Sequence, residues 1–106
     1  MPREDLQDWA DVFLHGELGL RRGITFGHPS YSRGKTLFAF LYDDGLCIKC
    51  NPDVTKQRSE ENPDVYSIFT PDHPMRNWLV IVHPEVQEYD RERSFIEEWL
   101  GKLVSR

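Results

Sequence analysis

The chain has 106 residues, of which 39% are hydrophobic and 12% aromatic, which suits one small globular domain and excludes a disordered chain. The net charge of −5 disfavours a dedicated nucleic-acid partner, because affinity for phosphates comes from lysine and arginine side chains. No apolar run approaches the roughly 20 residues that span a bilayer, and the first residues lack the basic-then-apolar order of a secretory signal. We therefore expect a single domain over residues 1–106, cytoplasmic and without a membrane partner.

The first half of the chain predicts one helix followed by three antiparallel strands. Apolar residues recur at helical spacing over residues 6–14. Residues 24–31 are typical of one strand interrupted by Pro29, because proline removes a donor from the ladder and favours an edge or a bulge. Residues 37–42 form the short apolar run of a central strand, and a hairpin signal then leads into a strand over residues 46–50.

The second half predicts a helix, two strands and a last helix. Asn51 caps a helix over about residues 52–61, since proline follows it at the first helical position. Strands follow at 66–70 and 78–82, and Asp90 caps the last helix. The polar side chains near and within this last helix are expected to face water: Arg91, Glu92, Glu97, Glu98 and Lys102.

This order, α-β-β-β-α-β-β-α, predicts an α+β fold with a single antiparallel sheet of about five strands and helices on one face. The central strand is expected to give the sheet one aromatic face, formed by Phe38, Phe40 and Tyr42, and one aliphatic face, formed by Leu37, Ala39 and Leu41. A bare aromatic face is unusual on a monomer. We therefore expect a protein partner, or a second copy in a homodimer, to cover it.

Several short motifs carry a resemblance to known families. The residues that resemble the MmcQ/YjbR-like proteins are Phe26-Gly-His-Pro-Ser-Tyr31, Gly34-Lys35, Phe38, Asp44-Gly45-Leu46 and Lys49. The residues that resemble the TfoX N-terminal domain are Gly34-Lys35, Phe38, Leu46, Lys49, Pro74-Met75, Trp78-Leu-Val80 and Trp99. The resemblance spans roughly residues 24–103 and implies a YjbR / secretion-chaperone-like fold. It also implies a DNA-binding label for the first family and regulation of competence genes for the second, and it implies no catalytic residue for either.

Basic residues are concentrated between positions 21 and 49 of this acidic chain. They are Arg21, Arg22, Arg33, Lys35 and Lys49. Three interpretations stay open: a solvated rim of the hairpins, a surface that binds an anion or a nucleic acid, and a surface that binds a protein partner.

A small-molecule pocket would use other residues. His28 and His73 precede prolines in predicted loops, and Arg76 lies at the entry to an apolar strand, where its guanidinium could bind a carboxylate or phosphate. Cys47 and Cys50 stand three apart on a strand and should point to opposite faces, so no metal site or disulfide is expected. The sequence predicts no cofactor and no enzyme. It favours a non-catalytic interaction or regulatory domain, with weak nucleic-acid binding and a ligand pocket as alternatives.

Overall fold

Six strands form one antiparallel sheet in the computed structural model, which describes residues 3–103. The strands are β1 (Arg21–Thr25), β2 (His28–Arg33), β3 (Thr36–Tyr42), β4 (Gly45–Lys49), β5 (Tyr66–Phe69) and β6 (Met75–Ile81). Their spatial order is β1-β2-β3-β4-β6-β5, so β1 and β5 are the two edges. The predicted α+β fold with a single antiparallel sheet is confirmed, with six strands in place of about five.

Helices precede, interrupt and follow the strands in the predicted order. They are α1 (Glu4–Ala10), which continues as a π-helical segment (Asp11–Glu17), then α2 (Pro52–Glu61), and finally a 3-10 helix (Val86–Glu92) that runs into α3 (Arg93–Lys102). The prediction for α2 is confirmed at both ends, and the Asn51 side chain accepts a hydrogen bond from the Val54 amide at 2.9 Å. Among the residues described, no helix has the length and apolar character needed to cross a bilayer.

The prediction of one strand over residues 24–31 is wrong. The chain reverses at Phe26 and Gly27, which both adopt a positive φ, of 55° and 76°. Two consecutive positive φ angles make a two-residue hairpin turn of the kind that matches the twist of the flanking strands. β1 and β2 therefore pair with each other, from Arg21 opposite Ser32 to Thr25 opposite His28, and this turn supplies the extra strand.

All three helices pack on one face of the sheet and enclose the main core there. Helix α1 and its π-helical continuation contribute Leu6 and Phe13, and α3 contributes Ile96. The sheet contributes the cross-strand neighbours Ile48 and Leu79 among others. These side chains are almost fully buried, so their transfer out of water is the main contribution to the stability of the fold.

The opposite face carries a second, smaller core around Phe40 and Cys47, packed by Leu37, Tyr42 and others. Phe38, which strict alternation would place beside Phe40, lies instead in the helix-side core. The pairing of β2 with β3 is irregular between Tyr31 and Ser32, which lie opposite Ala39 and Leu37 respectively. Phe38 is therefore an extra residue in β3, and such a bulge reverses the side on which every later side chain points.

The chain itself covers this second face, which the sequence left to a partner. The Phe69 ring lies 5.2 Å from the Phe40 ring and 5.0 Å from the Tyr42 ring, between centroids. Trp78 packs on Phe40 from β6, at 5.0 Å. Phe40 is only 1% exposed, so the aromatic face of β3 is covered by the chain itself.

Candidate functional site

The edge strand β1 has the most exposed backbone and side chains of the sheet. Four of its five residues are exposed. Ile24 lies opposite Pro29. Because proline has no amide hydrogen, these two residues form a non-hydrogen-bonded pair of the antiparallel ladder. Because such pairs alternate with bonded ones, Arg22–Tyr31 is another. The amide and carbonyl groups of Arg22 and Ile24 therefore point outward, along the free edge.

Exposed apolar side chains are concentrated beside this edge. Within residues 3–103 the large exposed hydrophobic side chains are Val12 (65% exposed), Ile24 (73%) and Phe26 (66%). Ile24 lies in β1, Phe26 follows it in the turn, and Val12 lies in the π-helical segment that packs against β1. Val12 and Ile24 lie on the helix side of the sheet, whereas Phe26 packs on Phe40 and Phe69 on the other side. The three exposed side chains therefore flank β1 from both faces of the sheet. We call this neighbourhood, Val12 together with residues 21–26, the β1 edge.

Phe26 adopts a backbone conformation that is costly for a bulky residue. Its φ of 55° lies in the left-handed region, where a side chain crowds the following carbonyl at a cost of roughly 1–2 kcal/mol. The inner side of its ring meets Phe40 at 5.7 Å and Phe69 at 6.5 Å, between centroids. A strained, mostly exposed aromatic residue is an outlier of the kind that concentrates at functional sites.

Strand topology brings the predicted basic residues together at one end of the sheet. Arg21 pairs with Ser32, Arg33 pairs with Thr36, and Lys49 ends β4 beside the start of β3. Lys35 lies in the turn between β2 and β3. The residues gathered at this end are Arg21, Arg33, Lys35 and Lys49, whereas Arg22 lies on the opposite face of β1 from Arg21.

Three of these basic side chains are used within the chain. Arg21 Nη2 donates to the Gly34 carbonyl at 3.1 Å, and Arg33 Nη1 donates to the Leu100 carbonyl in the last turn of α3 at 3.2 Å. Arg22 Nε lies 3.2 Å from Asp11 Oδ1, which also accepts a hydrogen bond from the buried Tyr31 hydroxyl at 2.7 Å. Burial raises the pKa of Tyr31, and this hydrogen bond to Asp11 raises it further.

The residues of the predicted ligand pocket occupy different environments. His28 is half-buried in β2, and its ring lies 5.2 Å from that of Tyr42. Its Nδ1 is buried and has no hydrogen-bond partner within residues 3–103. His73 and Arg76 are both exposed, in the β5–β6 connection and in β6. The pocket that they would form stays a prediction.

A buried polar cluster, which the sequence did not predict, connects the sheet to α2 and α3. His83 Nε2 lies 2.7 Å from Glu92 Oε2, and the Tyr66 hydroxyl donates to the same oxygen at 2.8 Å. Arg58 of α2 donates to the Tyr66 hydroxyl at 3.2 Å and stacks 3.8 Å above the Phe95 ring. Burial, followed by the bond to Glu92, raises the pKa of Tyr66 to about 12.

The expectation that Glu92 faces water is wrong, since it is 2% exposed. Glu92 stands four residues before Ile96, so extending the apolar stripe of α3 back by one turn would have placed it on the buried face. Asp90 does not cap α3 either; it accepts a hydrogen bond from Trp9 Nε1 at 2.9 Å, and the 3-10 helix leads directly into α3. The His83–Glu92 pair is almost fully buried, and both residues line a cleft of about 420 Å³ together with Arg58, Tyr66 and Arg91. The hydrogen bonds of the pair connect the sheet to the helices.

The cysteines point to opposite faces, as expected. Cys47 lies in the second core, and Cys50 lies in the helix-side core with its Sγ 3.0 Å from the Thr55 hydroxyl. Both thiols are free, and burial raises both pKa values. A raised pKa leaves a thiol protonated and weakly nucleophilic at neutral pH. Within the described range, no three histidine, cysteine or acidic residues are grouped to hold a metal ion.

Comparison with known proteins adds no relative to these observations, since the chain matches no protein-family model, no curated protein and no solved structure.

Proposed function

We propose that this chain is a non-catalytic protein-interaction module that binds a protein partner at the β1 edge. The observation that carries the proposal is the exposure of Ile24 and Phe26 beside a free strand, with Phe26 in a strained conformation. The partial burial of Phe26 against Phe40 and Phe69 returns at most about as much free energy as its left-handed conformation costs. Contact with a partner supplies a physical reason for both features.

Two further considerations support the proposal. The almost fully buried pair of His83 and Glu92 connects the sheet to the helices, so a structural role accounts for it. The resemblance to TfoX N-terminal and MmcQ/YjbR-like domains likewise implies no catalytic residue. We place the module in the cytoplasm as part of the same proposal, because two unpaired cysteines suit a reducing compartment.

A display experiment tests the proposal. A random peptide library is selected against the wild-type protein, and the enriched peptides are then measured by fluorescence anisotropy against wild type and Phe26→Asn. The variant gives the turn an Asn-Gly sequence that suits its geometry, so the fold is retained while the aromatic contact is removed. We expect binding in the micromolar range to wild type and at least about tenfold weaker binding to the variant. Equal binding to both proteins would refute the proposed surface.

Nucleic-acid binding is the second candidate, favoured by the convergence of four basic residues at one end of the sheet. The test is anisotropy of labelled single- and double-stranded oligonucleotides at low and physiological salt. Arg33→Glu with Lys35→Glu should abolish such binding, whereas the control pair Lys56→Glu with Arg91→Glu makes the same charge change at exposed positions on α2 and the 3-10 helix. An absence of binding at low salt would eliminate this candidate.

A further inference from the structure

We propose that the occupant of the β1 edge is an extended acidic segment of a partner protein, which adds to β1 as a seventh strand. This inference rests on the proposed function and specifies how the partner is recognised. Recognition of this kind takes its affinity from main-chain hydrogen bonds and its specificity from alternate side chains.

The backbone of β1 is free to pair. The amide and carbonyl groups of Arg22 and Ile24 point away from β2, and no other hydrogen bond within residues 3–103 uses the amide of either residue. An antiparallel segment opposite these residues can form two hydrogen-bonded pairs, which means four hydrogen bonds. β1 has no bulge in its pairing with β2, whereas β5, at the other edge, is irregular after Ile68 and is contacted by α2. The free ladder is therefore at β1.

Charge selects an acidic occupant over a second copy of the chain. Arg21 and Arg22 are exposed on β1, although the protein as a whole has a net charge of −5. Pairing β1 with β1 of a second copy would bring the Arg21 side chains of both copies to one junction, whereas each Arg22 is already paired with Asp11. Charged residues on an edge strand are a known protection against such pairing. An acidic segment meets the same side chains with opposite charge.

The two faces of β1 require different side chains from the segment. Ile24 lies on the helix side of the sheet and Arg21 on the other side, because neighbouring residues alternate. Arg22, also on the helix side, is already paired with Asp11. A segment with apolar residues on its helix side and acidic residues on the other would cover Ile24 and neutralise Arg21. Strict alternation of apolar and acidic residues satisfies both requirements.

The probes are synthetic eight-residue peptides with a fluorescent label. One alternates valine with glutamate, and its control alternates valine with lysine. Two further versions of the acidic peptide carry backbone N-methyl groups, on the valines in one and on the glutamates in the other. The valines are the residues that lie opposite Arg22 and Ile24, because their side chains must share the helix side of the sheet. In these hydrogen-bonded pairs the valine amides face β1, and the glutamate amides face solvent.

The expected result is binding of the acidic peptide at least about tenfold tighter than the lysine peptide, weakened by salt. N-methylation of the valines should remove about tenfold or more in affinity, and N-methylation of the glutamates should change it by less than about threefold. No binding of the acidic peptide up to about 1 mM, or equal effects of the two methylations, overturns the inference.

The outcomes also separate this inference from the proposed function. If displayed peptides bind in a way that depends on Phe26 while the alternating acidic peptide does not bind, the proposed interaction module stands and strand addition is rejected. Sedimentation equilibrium of the free protein tests whether a second copy of the chain occupies the β1 edge. A dimer that dissociates in the Phe26→Asn variant would make a second copy the occupant and overturn the choice of an acidic partner.

Discussion

Phe26→Asn should leave the free protein as stable as wild type, although it removes a large apolar side chain. The Phe26 side chain is 66% exposed, so about one third of its surface is buried. Since full burial of a phenylalanine is worth about 1.5–3 kcal/mol, the substitution loses about 0.5–1 kcal/mol. Asparagine tolerates the left-handed conformation and precedes a glycine here, which returns a similar amount. The net change in the free energy of unfolding should lie within about 0.5 kcal/mol of zero.

The matched control is Phe69→Ala, in the same aromatic cluster. Phe69 is 3% exposed and contacts Phe26, Phe40 and Tyr42. Its removal leaves a cavity over the second core and should cost about 3–5 kcal/mol. Urea unfolding followed by tryptophan fluorescence measures both variants. A loss above about 2 kcal/mol for Phe26→Asn would mean that Phe26 is a core residue, and its exposure would then no longer indicate a partner.

Three further changes test the polar contacts of the fold. Glu92→Ala leaves the buried His83 ring and the half-buried Tyr66 hydroxyl without their acceptor and should cost about 1–3 kcal/mol for each group in urea unfolding. Glu98→Ala, at an exposed position, should stay within about 0.5 kcal/mol. Equal losses would contradict a structural role for the cluster. The pKa of Tyr66 is raised to about 12 in the folded protein from about 10 in unfolded chains. The neutral hydroxyl therefore contributes its full stability below about pH 10, and this contribution is lost as pH rises through 12. The melting temperature measured from pH 8 upward should decline less steeply for Tyr66→Phe than for wild type. Asn51→Ala removes the cap of α2 and should cost about 1 kcal/mol, against no measurable change for the exposed Asn77→Ala.

Local signals predicted much of the fold. The cap at Asn51 followed by proline predicted the start of α2, and Asn62 followed by Pro63 predicted its end. The apolar run at 37–42 identified the central strand. These features depend on a few neighbouring residues, because capping and strand propensity act over one or two turns of chain. The failures came where a local signal was ambiguous. Phe26 is a poor residue for a positive φ, so the turn that separates β1 from β2 had no sequence signature except Gly27.

The candidate site was predicted only in part. The basic residues were identified, and antiparallel topology gathered four of them at one end of the sheet. Their contacts with the Gly34 and Leu100 carbonyls involve residues up to 67 positions away, which no spacing rule relates. No spacing rule relates Tyr66 to Glu92 either, although their side chains form a hydrogen bond.

The sequence by itself determined the fold class and most of the secondary-structure elements, because periodicity, alternation and capping act over a few neighbouring residues. Only the tertiary structure decided which surface is left open. The bulge at Phe38 moved this side chain to the helix-side core, and Phe69 covered the face that Phe40 and Tyr42 line. Exposure depends on how separate segments cover one another in space, and for that reason the free edge at β1 emerged only from the folded chain.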